Sequence, residues 1–198
     1  MSALILASGS VTRAALLRAA GLNFSQMRPA YEEEAGKQRL RAAGTDTAGQ
    51  VLALAEAKAL AVSATHPDAW VIGSDQMLEC EGVAFDKPRD LAEAASHLQR
   101  LSGRAHRLVT GVVLLRAQKR VWRHLEAPML QVRPLSAAFV TTYLAAIGDQ
   151  ALQSPGAYQV EGLGVQLFSA IEGDWFSILG LPLLPLLEEL RRLGLAQP

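Results

Sequence analysis

The chain has 198 residues, half of them hydrophobic, and its 19 acidic and 19 basic side chains give a formal net charge of zero. This length fits one large domain or two lobes that share a sheet, with enough apolar residues for a sizeable core. The lack of a basic excess argues against a general nucleic-acid-binding protein, although a local basic pocket is compatible with the same balance.

The cysteine count and the apolar runs bear on the compartment. Cys80 is the only cysteine, so no disulfide can form within the chain, which suits a reducing environment. Residues 1–7 have no basic n-region and too short an apolar run for a signal peptide. The longest apolar run, 178–187, contains one glycine and two prolines and is too short to span a bilayer. These features predict a cytoplasmic protein with no membrane partner.

The hydrophobic pattern predicts strands and helices mixed along the chain, without internal repeats or linkers. The predicted strands are 3–6, 22–27, 69–73, a hairpin over 77–85 that turns at Glu81-Gly82, a long pair over 106–116 and 119–132, and finally 157–160 and 165–171. The predicted helices are 14–20, one that runs from a cap at Thr45 or Asp46 to about 65, 90–101, one from a cap at Ser136 to 147, and 183–193. Residues 28–44 are predicted to form an exposed loop. The combination indicates an α/β fold with a mixed sheet.

The first strand leads through Ala7-Ser8-Gly9-Ser10 into a helix, and this kind of connection is a natural anion site. Backbone N–H groups are free at a helix start, and the helix dipole favours negative charge there. Ser10 is suited to cap the helix, and Arg13 adds a positive fork one turn in. An ordinary strand–helix connection capped by serine explains the same residues, so this stretch alone leaves both interpretations open.

Asp75 lies in the polar tip that ends the predicted strand at 69–73 and is a second candidate for chemistry. A carboxylate at the end of a strand, beside a glycine, can hold a divalent cation or activate water. An Asx turn that opens the next hairpin is an equal alternative. The acidic run at 32–34 is either a solvated loop or the source of a second carboxylate ligand for the same metal.

Two lysines are candidates for binding a charged ligand. Lys58 lies in an alanine-rich predicted helix, where it is either a surface residue or a ligand contact, and Lys87 lies in a predicted loop. A polyphosphate would unite these groups, because its charge needs several cations and a metal and its hydrolysis needs a positioned water. The four histidines show no metal-ligand spacing, and the chain has no P-loop, Rossmann fingerprint or nucleophile elbow.

Short motifs along almost the whole chain resemble those of the Maf family, in the family's order. They are the stretch 6–17, Glu33, Ala57-Lys58-Ala59, Gly73-Ser74-Asp75-Gln76, Lys87-Pro88, Gly156-Ala157-Tyr158, Glu161-Gly162-Leu163-Gly164, Ile171-Glu172-Gly173-Asp174 and Gly180-Leu181-Pro182. The resemblance implies a single Maf-like domain over residues 1–198, with a mixed, curved β-sheet, flanking helices and two lobes around a central cleft. It also implies an enzyme that cleaves nucleoside triphosphates between the α- and β-phosphates to nucleoside monophosphate and pyrophosphate, with Mg²⁺ or Mn²⁺ as cofactor.

The resemblance assigns roles to individual residues. The triphosphate would be bound by Ser8, Ser10, Arg13, Lys58 and Lys87. The metal would be held by Glu33 and Asp75, and Asp75 would also accept a proton from the attacking water. The chain departs from the family's motif at Val11, where proline is usual, and at Thr12, which is the first position of the usual arginine pair.

Thr12, Gln76 and Glu161 bear on the choice of base. Gln76 and Glu161 resemble the branch that hydrolyses 7-methyl-GTP rather than the one that hydrolyses dTTP and UTP, whereas Thr12 departs from it. A carboxylate at 161 can accept from the N1–H and the amine of guanine, or it can simply pair with a basic neighbour. The alternatives are a dTTP/UTP pyrophosphatase and a nucleotide-binding regulator of septum formation without turnover. The family often forms dimers, so the resemblance allows for a homodimer.

Overall fold

The computed structural model describes residues 3–197. In chain order, the strands are β1 (Leu4–Ala7), β2 (Ser25–Met27), β3 (Trp70–Cys80), β4 (Val83–Phe85), β5 (Ala105–Arg116), β6 (Lys119–Glu126), β7 (Met129–Val132) and β8 (Phe168–Glu172). The helices are α1 (Val11–Ala19), α2 (Glu33–Ala42), α3 (Thr47–Ser63), α4 (Leu91–Leu101), α5 (Ala137–Ile147), α6 (Trp175–Ile178) and α7 (Leu183–Arg192), and two short 3-10 helices cover Gly148–Gln153 and Leu163–Leu167. None of the helices within residues 3–197 has the length and apolar character needed to cross a membrane.

The eight strands belong to one mixed sheet with the main order β2-β1-β3-β5-β7-β8, in which β4 pairs with β3 and β6 pairs with β5. β1 is parallel to both β2 and β3, whereas β5 is antiparallel to β6 and β7, and β7 is antiparallel to β8. The predicted α/β class, with helices flanking a mixed sheet, is confirmed.

The chain divides into two compact units. Of the described residues, the first contains 3–76, Val109–Glu126 and 174–197, and the second contains Met77–Leu108 and Ala127–Gly173. β3 and β5 each contribute residues to both units.

In the first unit, helices cover both faces of the sheet. Leu4 and Leu6 of β1 lie in an apolar cluster with residues of α1 and α7, whereas Ile5 and Ala7 lie in a second cluster with residues of α3. Successive side chains of a strand point to opposite faces, so this division places α1 and α7 on one face and α3 on the other. A strand buried on both faces explains the uninterrupted apolar run at the start of the chain.

Most helices lie where the sequence predicts them. The capping residues Ser10, Asp46 and Ser136 each accept a hydrogen bond from a backbone N–H three residues further along the chain. This satisfies one of the free donors that every helix start carries. The predicted turn at Glu81-Gly82 is also present, with φ angles of 52° and 77° that suit a tight hairpin.

Residues 33–42 form helix α2, so the prediction of an exposed loop over 28–44 is wrong. Gly36 is the only buried residue of this helix, which therefore has no apolar stripe for a pattern search to find. The helix is stabilised by charge instead. Glu33 and Glu34 lie in its first turn, and Arg39 and Arg41 lie in its last turn. Negative charge at the N-terminus and positive charge at the C-terminus both interact favourably with the helix dipole.

The strand that carries Asp75 continues without a break from Trp70 to Cys80. Asp75 therefore lies within a strand, and both the predicted strand tip and the alternative of an Asx turn are wrong. The predicted strand over 119–132 is in fact two strands, β6 and β7, which pair with different parts of β5.

Residues 157–167 do not form the predicted strands, and β8 begins only at Phe168. Ala157 has a φ of 56°, and the N–H of Tyr158 donates to Oγ of Ser154 over 3.0 Å, which closes a local turn. A Cβ on Gly164 would lie 2.4 Å from the carbonyl oxygen of Gln159. The glycine therefore permits a close backbone approach in this compact segment.

Candidate active site

The connection from β1 to α1 is held by side chains on both sides. Oγ of Ser8 accepts from the N–H of Ser10 over 3.2 Å, and Oγ of Ser10 accepts from the N–H of Arg13 over 3.3 Å. From the neighbouring strand β2, Nε2 of Gln26 donates to the carbonyl oxygens of Ser8 over 3.0 Å and of Ser10 over 3.2 Å. The turn over residues 8–10 is thus fixed at the N-terminus of a nine-residue helix, where free N–H groups can bind an anion. We call this turn the anion cradle.

Arg13 joins this turn to β3 and to the segment before α7. Its Nε donates to the carbonyl oxygen of Gly180 over 2.7 Å, and its Nη1 donates to the carbonyl oxygen of Ser74 over 3.0 Å and to Oγ of Ser8 over 3.3 Å. Its Nη2 makes no hydrogen bond with residues 3–197, so this end of the guanidinium is available to a phosphate oxygen.

Lys58 of α3 links the two carboxylates that the resemblance names as metal ligands. Its Nζ lies 2.6 Å from Oδ1 of Asp75 on β3 and 2.7 Å from Oε2 of Glu33 at the start of α2. A second lysine, Lys37, lies four residues after Glu33 on α2, with its Nζ 3.4 Å from Oε1 of that carboxylate. Helices α2 and α3 and strand β3 thus bring two carboxylates and two ammonium groups into contact.

Gly73 allows α3 to approach β3 closely enough for this contact. A Cβ at position 73 would lie 2.2 Å from the carbonyl oxygen of Ala55 and 2.8 Å from Cβ of Ala59. Any side chain there would move the helix away from the strand. The small residues on both elements therefore place Lys58 against Asp75.

One oxygen of this cluster is buried and unsatisfied. Lys58 is 9% exposed and Asp75 is 4% exposed. Oδ1 of Asp75 is paired with Lys58, whereas its buried Oδ2 has no hydrogen-bond partner within residues 3–197. A buried polar atom without a partner costs free energy unless a ligand satisfies it, so Oδ2 is the atom at which we expect a cation or water to bind.

The charges of the cluster act on one another. Burial by itself raises the pKa of Glu33, but the charge of Lys58 and, after it, that of Lys37 outweigh burial and leave this pKa below its ordinary value. Burial lowers the pKa of Arg13, and the charges of Asp75 and Glu33 oppose that effect. Glu33 is consequently an anion at neutral pH, and Arg13 stays a cation because a guanidinium does not lose its proton in proteins.

The carboxylates fit a hard divalent cation that a substrate helps to hold. Mg²⁺ is usually bound by one or two carboxylates together with phosphate oxygens and water. Within residues 3–197, no group of three or more His, Cys, Asp or Glu side chains could hold a metal ion. Glu33 and the unpartnered Oδ2 of Asp75 therefore suit an ion whose remaining ligands come from a phosphate and from water.

The side chain of Gln76 is held in one orientation. Its Nε2 donates to Oγ1 of Thr110 over 2.9 Å and to the carbonyl oxygens of Ser177 over 2.9 Å and Ile178 over 3.1 Å. Backbone carbonyls only accept, so the amide nitrogen must face them and Oε1 must point elsewhere. Thr12, the other residue of this unit that is predicted to bear on specificity, is half-buried in the first turn of α1.

The last two predicted residues belong to the second unit. Lys87 is exposed in the segment between β4 and α4. Glu161 is exposed just before the 3-10 helix at Leu163–Leu167, and its side chain forms no ion pair or hydrogen bond with the described residues. The alternative that Glu161 pairs with a basic neighbour is therefore not observed within residues 3–197.

Comparison with known proteins decides the family. The model of a family described as "Maf-like protein" matches residues 3–193. The chain belongs to the Maf-like protein family. The match includes every predicted site residue from Ser8 to Glu161 and confirms the family that the motifs indicate.

Curated relatives of this Maf-like chain carry enzyme names. It is 53% identical over 191 residues to a 7-methyl-GTP pyrophosphatase of Rhizobium meliloti, with 96% of each chain covered. It is 50% identical over 189 residues to a nucleoside triphosphate pyrophosphatase of Hyphomonas neptunium, with 96% of this chain and 95% of the relative covered. A 7-methyl-GTP pyrophosphatase of Brucella abortus is 48% identical over 189 residues, with the same coverage.

Three side chains that adjoin the candidate site in this Maf-like chain are not among the predicted residues. Gln26 supports the cradle, and no signal in the sequence indicates it. Ser74 donates from Oγ to the carbonyl oxygens of Gly111 over 2.9 Å and Gly180 over 3.0 Å, and its position before Asp75 is the only hint of its role. Lys37 would have been found at the i+4 position from Glu33 if α2 had been predicted as a helix.

Proposed function

We propose that this chain hydrolyses nucleoside triphosphates between the α- and β-phosphates and releases nucleoside monophosphate and pyrophosphate. The observation that carries the proposal is Asp75, a buried carboxylate with one oxygen paired to Lys58 and the other without a partner. The residue before it, Ser74, accepts a hydrogen bond from Arg13 in the first turn of α1, whose N-terminus can bind an anion.

The triphosphate is bound by the cradle and its cations. Ser8 and Ser10 hold the turn in place, so that the N–H groups at the start of α1 point at a phosphate. Arg13 offers Nη2 to the same phosphates, while its other nitrogens keep the guanidinium fixed. Lys58 adds a second cation, and a phosphate contact is proposed for Lys87 as well. Fixed cations of this kind stabilise the charge that develops on the phosphates.

Asp75 acts on the water. The water oxygen bonds to the α-phosphorus, and the bond from that phosphorus to the oxygen bridging the α- and β-phosphates breaks. The bridging oxygen leaves with the electron pair as part of pyrophosphate, and the proton of the water passes to the carboxylate of Asp75. A positioned carboxylate of this kind contributes about 10²–10⁴-fold in rate.

Glu33 and Asp75 are proposed to hold Mg²⁺ or Mn²⁺, which supplies charge neutralisation and Lewis acidity at the phosphates when it is bound. Two observations support this assignment: Oδ2 of Asp75 has no hydrogen-bond partner among the described residues, and the carboxylate of Glu33 is ionised. A cytoplasmic location is proposed with it, supported by a single cysteine that is buried.

We infer that the favoured base is guanine in its 7-methylated form. The names of the relatives from Rhizobium meliloti and Brucella abortus support this, as does Glu161, whose carboxylate is exposed and has no partner among the described residues. The relative from Hyphomonas neptunium carries only the broader name of a nucleoside triphosphate pyrophosphatase, so UTP and dTTP belong in any test.

A nucleotide panel tests the proposal. The purified chain is incubated with 7-methyl-GTP, GTP, UTP and dTTP, each with Mg²⁺, Mn²⁺ or EDTA, and pyrophosphate is measured. We expect metal-dependent release that is fastest with 7-methyl-GTP. Binding of a nucleotide without any release would favour the regulator instead, and faster release from UTP and dTTP would favour the pyrimidine branch.

A further inference from the structure

The ammonium group of Lys58 lies where a cation shared by the two carboxylates would lie. Its Nζ is 2.6 Å from one carboxylate oxygen of Asp75 and 2.7 Å from one of Glu33, and the lysine is almost entirely buried. The pair of acids is thus bridged by a positive charge that belongs to the protein.

The positive charges of the cluster outnumber the negative charges before any ion binds. Glu33 and Asp75 carry two negative charges, and Lys58 and Lys37 carry two positive charges. Arg13 adds a further positive charge that acts on both acids. A divalent cation that entered this cluster alone would meet a net positive surrounding. Beside the buried Lys58 and Asp75, like charges repel more strongly than in water.

We propose that Lys58 keeps the carboxylate pair closed to a divalent cation until a triphosphate draws its ammonium group away. This inference rests on the proposed function, because the phosphates of the substrate are the anions that would take over the lysine. Lysine suits such an exchange, since its charge is compact and its four-carbon stem is flexible. The protein would then load the ion together with its substrate and bind it only weakly beforehand.

Metal binding to the nucleotide-free chain tests this inference without any turnover. Mn²⁺ affinity is measured by electron paramagnetic resonance for the parent and for Lys58→Met, Lys58→Arg and Lys119→Met. We expect Lys58→Met to bind Mn²⁺ at least tenfold more tightly than the parent. Lys58→Arg keeps the charge, and Lys119→Met removes an exposed charge at the start of β6, so both should stay within about twofold of the parent.

Two further measurements locate the effect and guard against misfolding. Adding Asp75→Asn to Lys58→Met should abolish the gained affinity, because it removes the negative charge of the carboxylate on which the ion depends. Lys58→Gln, which keeps a hydrogen-bond donor without the charge, should show the same gain and also a larger rise in thermal midpoint with Mn²⁺ than the parent shows. It keeps the test decisive if Lys58→Met does not fold.

Equal Mn²⁺ affinity in the parent and in the folded Lys58 variants would overturn the inference. A gain that survives Asp75→Asn would also overturn it, because the ion would then bind elsewhere. The proposed function fails separately, if the parent releases no pyrophosphate from any nucleotide. Tight Mn²⁺ binding by Lys58→Met would even then support the exclusion of the ion by Lys58, so the two failures are distinguishable.

Discussion

Nζ of Lys58 lies 2.6 Å from Oδ1 of Asp75, and both side chains are buried in the first unit. Removing the charge of Lys58 would leave the buried carboxylate of Asp75 without its ion-pair partner, which costs about 3–5 kcal/mol in comparable pairs. A useful test of catalysis must therefore change the charge of Asp75 while keeping its shape and its hydrogen bond to Lys58.

Asp75→Asn meets that condition. The amide oxygen can still accept from Lys58, and Glu33 still compensates the ammonium group, so we expect the variant to fold. It loses the basicity needed to accept a proton from water, and we expect turnover to fall by about 10²–10⁴-fold. Pyrophosphate release and the thermal midpoint are measured together.

Glu56→Gln, which disrupts the ion pair of Glu56 with Arg120 in the same unit, is the control and should keep the parent rate. Unchanged turnover in Asp75→Asn would contradict the assignment.

Arg13→Ala should affect both nucleotide binding and stability. The guanidinium makes hydrogen bonds to Gly180, Ser74 and Ser8, so its loss releases three acceptors as well as a phosphate contact. We expect the Michaelis constant to rise and the free energy of unfolding to fall by about 2–3 kcal/mol, a range typical of a charged hydrogen bond. Arg191→Ala on the exposed face of α7 is the control and should change neither quantity. A variant that melts and binds nucleotide as the parent does would place Arg13 outside the site.

The fold was predictable from the sequence wherever apolar residues follow a period. β1 is an uninterrupted apolar run, and α3 is a long alanine-rich helix with a clear cap at Asp46, so both were predicted close to their true bounds. α2 was missed because it buries only a glycine and is stabilised by charges at its two ends. The segment at 157–160 misled the prediction because its apolar residues are buried by a local turn rather than by strand pairing.

The residue types of the site were predictable, but their contacts were not. The motifs predict Lys58 and Asp75 as site residues. Their spacing in the sequence does not indicate that α3 packs on β3 at Gly73 and brings these two side chains into contact. The polar residues inside β3 predict the end of a strand, because unpaired polar groups are not expected within a buried one. In the structure, Ser74 and Gln76 are satisfied there by backbone carbonyls of the same unit.

Glu161→Gln should change the choice of base. A carboxylate accepts two donors from the guanine edge, but it faces one donor and one carbonyl oxygen on uracil or thymine, and the carbonyl repels it. Gln supplies an N–H₂ group for that carbonyl. We expect activity on 7-methyl-GTP and GTP to fall and the ratio of UTP and dTTP turnover to guanine turnover to rise, measured as kcat/KM over the panel. Glu172→Gln, at the exposed end of β8 in the same unit, is the control. A uniform drop over all nucleotides would rule out base recognition by Glu161.

The stability of the protein should depend on pH through His106. Burial lowers the pKa of His106 to about 4, while the unfolded histidine has a pKa of about 6.5. As the pH falls below 6.5, the unfolded chain therefore binds the proton first, and stability that is present above this pH is lost progressively towards pH 4. The loss attributable to this group between pH 7 and pH 5 is about 2 kcal/mol.

His106→Gln removes this titration, so its thermal midpoint should change less between pH 7 and pH 5 than that of the parent. The matched control is Tyr158→Phe. It deletes the hydroxyl that lies 2.6 Å from Nε2 of His106 but keeps the buried histidine, so the pH dependence should persist. Equal pH dependence in His106→Gln and the parent would show that other groups are responsible.

The identity of the products tests the proposed function most directly. The chain is incubated with 7-methyl-GTP and Mg²⁺, and the phosphorus-containing products are followed by ³¹P nuclear magnetic resonance, with Asp75→Asn as the inactive control. Hydrolysis between the α- and β-phosphates predicts one nucleoside monophosphate and one pyrophosphate for each nucleotide consumed. The appearance of orthophosphate and nucleoside diphosphate as the first products, or equal hydrolysis by Asp75→Asn, would contradict it.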